Sequence, residues 1–183
     1  MRTQIELERL YEALPKPSNP DGHVRQHGRV RLVVLRKGDG VHETPDAAEL
    51  TPDVGIVGDR WADGEAPETG RQVTLMNVEV ARLVADGLPL HLPGDNFLVD
   101  LDLSEDALPV GTLLRAGTAV LRISEEPHRG CKKFAQRFGK DAMRWLNAKH
   151  RWPLRLRGVN CSVVGAGRIA IGDAIEVIDA AKG

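Results

Sequence analysis

The chain has 183 residues, and its 25 Lys/Arg against 26 Asp/Glu leave a formal net charge of −1. That length suits one domain with a core large enough to fold without staples, and two cysteines cannot form a disulfide framework. A near-neutral total argues against nucleic acid or another strongly anionic partner, and no run of about 18 apolar residues is present to span a membrane.

Residues 3–14 read as a short amphipathic helix, with Ile5, Leu7, Leu10, Tyr11 and Leu14 at near-helical spacing. The stretch is charged and periodic, unlike a secretory leader, so a cytoplasmic protein with reduced thiols is expected. Pro15, Pro17 and Pro20 end the helix, and 15–28 reads as a linker. His23 and His27 lie four apart in it, but the Pro/Gly context disfavours the helix that would pair them on a metal; a solvent-exposed loop is expected.

From Arg29 the run RVRLVVLRKG alternates and is rich in β-branched residues, then stops at Gly-Asp-Gly. Further short strands are expected at 72–75, 97–101, 119–123, 159–164 and 174–178, with Gly and Pro turns between them. Many short strands with Gly-rich turns point to a barrel or sandwich rather than a doubly wound sheet. Two helices interrupt the pattern. One covers 78–86, with Asn77 as N-cap, Glu79 in the first turn and Gly87 beyond the end. The other covers 132–149, with Phe134, Phe138, Ala142, Trp145 and Leu146 on one stripe. Gly139 inside that run is a point at which it can split in two. GAGRIAIG at 165–172 lacks the spacing of a dinucleotide fingerprint and opens no helix.

Charge is unevenly spread. Residues 126–158 hold ten Lys/Arg and two Asp/Glu, a balance of +8, which leaves −9 for the rest. The bland account is a solvated helix face. With few aromatics and an acidic remainder, a compact phosphate-bearing molecule fits this segment better than nucleic acid.

Cys131 lies within that segment, in EPHRGCKKF, immediately before the basic helix. Helix N-terminal amides, with Arg129, Lys132 and Lys133, form an electropositive setting of the kind that activates a thiol for nucleophilic attack, sulfur carriage or soft-metal binding. His128 is three residues away, and Gly130 admits a close backbone approach. Cys161, in VNCSVV, reads as a core residue. Its Asn160-Cys161-Ser162 sequon is expected to carry no weight if the protein is cytoplasmic, as read above. Asp59 and Arg60 in GIVGDRWADG, then Arg71, and Asn96 in PGDN sit on turn-forming segments that present polar groups to a ligand or simply to solvent.

In this order the motifs resemble the MOSC domain, named for the C-terminal domain of molybdenum cofactor sulfurase. GIVGDR at 55–60 is similar to that family's Gly-Asp-Arg/His element, and Arg71 follows it. LPGDNFLVDLDL at 92–103 resembles the "pG.gENl" segment, with Asp95 and Phe97 in place of the usual Glu and Leu/Ile. LPVGTLLRAGTAVLRIS at 108–124 resembles a third segment, and EPHRGCKKFAQRFG at 126–139 the element with the family's cysteine. LRGVNCSVVGAGRIAIGDAIEVI at 156–178 resembles the closing one. The cysteine here follows Gly130 rather than Pro, which marks a subgroup.

The resemblance implies a mixed α+β fold dominated by β, a closed or partly open barrel of the pyruvate kinase β-barrel type with a few short helices. It divides the chain into 1–28, helix and linker, and a MOSC domain at 29–180. It implies a molybdopterin-type molybdenum cofactor, with Cys131 as molybdenum ligand or sulfur carrier, in sulfur transfer or in reduction of N-hydroxylated compounds. Cys131 and His128 are then the catalytic candidates. Arg129, Gly130, Lys132, Lys133 and Arg157 are candidates for the phosphate, and Asp59, Arg60, Arg71 and Asn96 for the pocket lining. Relatives are fused to pyridoxal-phosphate desulfurase-like domains. This chain is too short to hold one, so no pyridoxal phosphate is expected here, and a desulfurase or electron-transfer protein would be a separate partner. Two other classes stay open: a non-catalytic module that stores or delivers cofactor, and a cofactor-free thiol enzyme with His128 as base.

Overall fold

The predicted strand run from Arg29 is two strands, β1 (His27–Val33) and β2 (Leu35–Gly38), in the computed structural model, which describes residues 1–14, 27–63 and 69–179. The break falls at Val34, whose N–H turns away to donate to the Asn96 carbonyl at 2.7 Å. His27 belongs to β1 rather than to a loop; His23 and most of the proposed linker lie outside the described residues. β2 pairs with β3 (Val41–Glu43) across the Gly-Asp-Gly turn. The remaining strands are β4 (Ala47–Thr51), β5 (Gly55–Ile56), β6 (Val73–Asn77), β7 (Phe97–Val99), β8 (Leu113–Ala116), β9 (Ala119–Ile123), β10 (Val159–Gly165), β11 (Gly167–Ala170) and β12 (Ala174–Asp179).

Seven of these close into a barrel in the order β1-β12-β8-β9-β10-β6-β7. The barrel is antiparallel except for β6 and β7, which run parallel. That pair needs a crossover, supplied by α2 (Val78–Ala85). Asn77 ends β6 and caps α2, its side chain accepting from the N–H groups of Glu79 and Val80. β11, β4 and β5 form a second small sheet beside the barrel.

Two cores result. Val73, Leu75, Phe97 and Val99 point into the barrel with Leu114, Leu121, Val163 and Ile175. Their neighbours Met76 and Leu98 point the opposite way, into a helical layer with Leu7, Phe134, Phe138 and Trp145. Strand alternation thus buries both faces of β6 and β7, which explains why β7 is apolar throughout and β6 is apolar but for the hydrogen-bonded Thr74 and Asn77. Each fully buried side chain of this kind contributes roughly 1.5–3 kcal/mol.

The helical layer holds α1 (Gln4–Glu12), α2 and α3 (Lys132–Asn147). Thr3 and Glu6 form a capping box at the start of α1. Leu7 is its buried anchor, whereas Ile5, expected on the apolar stripe, is 82% exposed. Glu8 reaches across to α3, accepting from Trp145 Nε1 at 2.7 Å and pairing with Arg151. The predicted long helix is broken at Gly139 (φ 87°, ψ 160°), a conformation open to glycine and strained for other residues. Its second arm therefore turns back along the first, and Lys149 begins a short 3-10 turn instead of extending the helix.

Candidate functional site

A cavity of about 430 Å³ opens where the β2–β3 hairpin, the Pro93-Gly94 turn and the first arm of α3 meet. Its walls carry Arg36, Arg60, Lys133, Arg137 and Arg157, with Asp39 the one acidic lining residue among the described residues. His42, His128, Cys131 and Gln136 add to the polar lining.

The barrel-side wall rests on two buried ion pairs. Arg36 grips Asp59, with Nη2 to Oδ1 at 2.8 Å and Nε within 3.1 Å of both carboxylate oxygens. The N–H groups of Arg36 and Trp61 and the Asn96 side-chain amide also donate to Asp59, at 2.8, 3.0 and 3.0 Å. Burial opposes ionisation of Asp59, but the Arg36 guanidinium and these amides outweigh it and hold the carboxyl below the usual carboxylate range. Asn96, fully buried, ties this pair to β6: its Oδ1 accepts from the Thr74 N–H and hydroxyl, and its N–H donates to the Thr74 oxygen.

The second pair is Asp95 with Arg157. Arg157 Nη1 lies 2.7 and 2.5 Å from the two carboxylate oxygens, and Nη2 donates to the Pro93 carbonyl at 3.2 Å. Gly158 places this arginine: its φ is +98°, and a Cβ there would lie 2.0 Å from the Leu75 carbonyl oxygen. Arg157 Nε has no hydrogen-bond partner among the described residues, nor has His128 Nδ1, which stands 3.4 Å from Asp95 Oδ1 outside hydrogen-bond geometry. Burial pushes the Asp95 carboxyl up, against the pull of Arg157. Burial, with the charges of Arg157, Arg36 and Arg71, holds His128 well below its usual range, so its imidazole is neutral at physiological pH.

The helical wall is open by contrast. Cys131 is the N-cap of α3, is exposed, and makes no side-chain cap bond, unlike Thr3 and Asn77. The first-turn amides of α3 are therefore left for a ligand or water. Lys133 is exposed beside it, and Arg137 donates to the Leu92 carbonyl at 2.7 Å. Cys161 is the opposite case: fully buried in the barrel, with its thiol pushed up to about 12 by burial.

Of the residues singled out in the sequence, Cys131, His128, Arg60, Lys133 and Arg157 meet at the cavity. Asp59 and Asn96 lie beneath it and act on it through Arg36. Gly130 does not line the cavity; its N–H and carbonyl are both taken by the Asn147 side chain. Lys132 is exposed and does not line the cavity. Arg71 pairs with Glu126 at 2.8 Å, away from the lining. Arg129 stacks 3.7 Å from the Trp152 ring and lines a separate cavity of about 160 Å³. Sequence reading did not single out Arg36, His42 or Arg137 for the site. The one local signal was the Gly-Asp-Gly turn, which marks the hairpin tip that lines the cavity.

The cavity suits an anionic cofactor on three observations: its cationic walls, the two buried nitrogens without partners, and the thiol at its rim. Its volume lies within the usual range for small-molecule sites. Among the described residues no cluster of three or more His, Cys, Asp or Glu could hold a metal ion by protein ligands alone. No helix among them is long and apolar enough to cross a membrane.

The fold has solved counterparts. YiiM from Escherichia coli is 20% identical, with a TM-score of 0.56 over 85% of this chain and 72% of that one. The YUAD protein from Bacillus subtilis is 20% identical, with a TM-score of 0.55 over 82% of this chain and 95% of that one. YiiM from Geobacillus stearothermophilus is 16% identical, with a TM-score of 0.51 over 83% and 75%. None of the curated proteins matches the sequence. The sequence pattern of the MOSC domain matches residues 67–176, a span holding β6 to β11, Asp95, His128, Cys131 and Arg157, and the chain belongs to the MOSC domain family.

Proposed function

We propose that this chain binds a molybdenum–pterin cofactor in the cavity beside Cys131. The observation that carries this reading is the meeting of an exposed thiol, at a helix N-terminus, with cations that have no buried counter-ion among the described residues. Arg36 and Arg157 are neutralised by Asp59 and Asp95 and serve as fixed hydrogen-bond donors. Lys133 and Arg60, with Arg137, remain to bind a phosphate, and the open amides of α3 add to their pull. Arg129 and Lys132 lie farther out and contribute field rather than contact. When bound, such a cofactor supplies redox chemistry at molybdenum, with Cys131 as its ligand in reduction of an N-hydroxylated compound or as persulfide carrier in sulfur transfer.

His128 lines the same cavity, but burial and the charges of Arg157, Arg36 and Arg71 keep its imidazole neutral and make it a weak proton acceptor. A second reading, a cofactor-free thiol enzyme with His128 as base, is supported only by the place of His128 and Cys131 in one cavity lining. Iodoacetamide reactivity together with turnover, in protein free of metal and pterin, would favour it.

Protein made in a cofactor-competent host, analysed for molybdenum and pterin fluorescence, tests the leading reading. Wild type should carry both, and Cys131→Ser should lose metal loading or turnover. Full molybdenum content and full turnover in Cys131→Ser would overturn it.

A further inference from the structure

The peptide before Cys131 is held by a residue from the far end of α3. Asn147 Oδ1 accepts from the Gly130 N–H at 2.9 Å, and Asn147 Nδ2 donates to the Gly130 carbonyl at 2.9 Å. One carboxamide thus satisfies both polar groups of one residue, which requires a donor and an acceptor side by side. The contact spans 17 positions and exists because the break at Gly139 turns the second arm of α3 back. The Asn147 carbonyl in turn accepts from Trp152 Nε1 at 2.9 Å, and the Arg129 guanidinium lies 3.7 Å from that indole ring. Residues 129 and 130 are therefore both tied to Asn147, one through Trp152 and one directly. Any slide of this segment breaks two hydrogen bonds together, so the starting point of the Cys131 side chain is fixed.

We propose that Asn147 is the positioning residue of the Cys131 thiol: its carboxamide sets where the thiol stands against the N-terminus of α3 and the cavity. The proposal rests on Cys131 being the functional group of the site, as read above, but its test needs no cofactor. Metal-free protein is alkylated with iodoacetamide, and labelling of each cysteine is followed by peptide mass spectrometry across pH. Cys161, buried in the barrel, reports any loosening of the fold in the same sample. Asn147→Asp keeps the acceptor and loses the donor; Asn147→Leu loses both. Each should change the Cys131 rate by at least about fivefold, the worth of one net hydrogen bond, and displace its pH profile, with Cys161 unlabelled. Trp152→Phe keeps a ring beneath Arg129 and removes one bond to Asn147; it should fold and give a smaller change of the same sign.

An unchanged Cys131 rate and profile in the Asn147 variants would overturn the proposal. So would a change that appears only together with Cys161 labelling, since the fold as a whole would then have loosened. If the variants at 147 do not fold, an unchanged rate in Trp152→Phe overturns it. Failure of the cofactor reading would leave these rates untouched, so the two failures are distinguishable.

Discussion

The two walls of the cavity use charge in opposite ways. On the barrel side, Arg36 and Arg157 are each locked against a carboxylate with no side-chain exposure. On the open side, Lys133 in the first turn of α3 and Arg60 in the turn after Asp59 are exposed and have no ion-pair partner among the described residues. The first arrangement costs desolvation and returns fixed geometry. The second costs little and leaves charge available to a ligand. Cations of one cavity can therefore be sorted by their partners into those that build it and those that act in it.

The largest expected effect is on the barrel side. Arg157→Ala leaves Asp95 buried without its counter-ion and should cost about 3–5 kcal/mol in urea unfolding. A loss below about 1 kcal/mol would mean that the pair does not build the wall. Asp59 sharpens the point through pH. Its folded carboxyl titrates below the unfolded one, so its stabilisation is complete above about pH 4 and is lost as pH falls through the lowered folded value.

On the open side the balance should invert. Lys133→Ala combined with Arg60→Ala should shift stability by no more than about 1 kcal/mol. The same pair should weaken retention of an anionic cofactor by about tenfold or more, read as molybdenum content after dialysis in graded salt. A double variant that loses stability but not cofactor would erase the distinction between the walls.

The smallest effect concerns His128, which stands between them. Its folded value lies well below the usual 6.5, so in acid the unfolded chain takes up a proton that the folded one refuses. Its stabilisation is complete above about pH 6.5 and is lost as pH falls towards the folded value. Melting temperatures of wild type and His128→Gln should therefore converge as pH drops below about 6.5. A constant gap between them down to pH 5 would show that the imidazole does not titrate as its burial requires.

What the sequence disclosed followed the range of the interaction. Ala119–Ile123 was legible to the residue, because alternation and a Gly turn define it locally. Asn77 as a cap and the break at Gly139 were legible for the same reason. Cys131 could be placed at a helix start because the basic run follows it directly. The break at Val34 was not legible, since its bond goes to Asn96, far along the chain. β4 and β11 lack a β-branched run and exist through their pairing with each other. Arg36 and Asp59 are 23 positions apart, and neither names the other. Arg129 was grouped with the site by its charge, yet Trp152 draws it to the neighbouring cavity.

The order of strands around the barrel also bears on how the chain is made. β1, the first barrel strand to leave the ribosome, pairs on one side with β12, the last of the described strands, through His27↔Glu176, Gly28↔Ile175 and Arg29↔Ala174. β12 also covers β8. Until residues 174–179 emerge, β1 and β8 each keep an open edge, the kind of surface that recruits wrong partners. One late segment seals both, so the nascent chain is most exposed to misassembly just before synthesis of this strand ends.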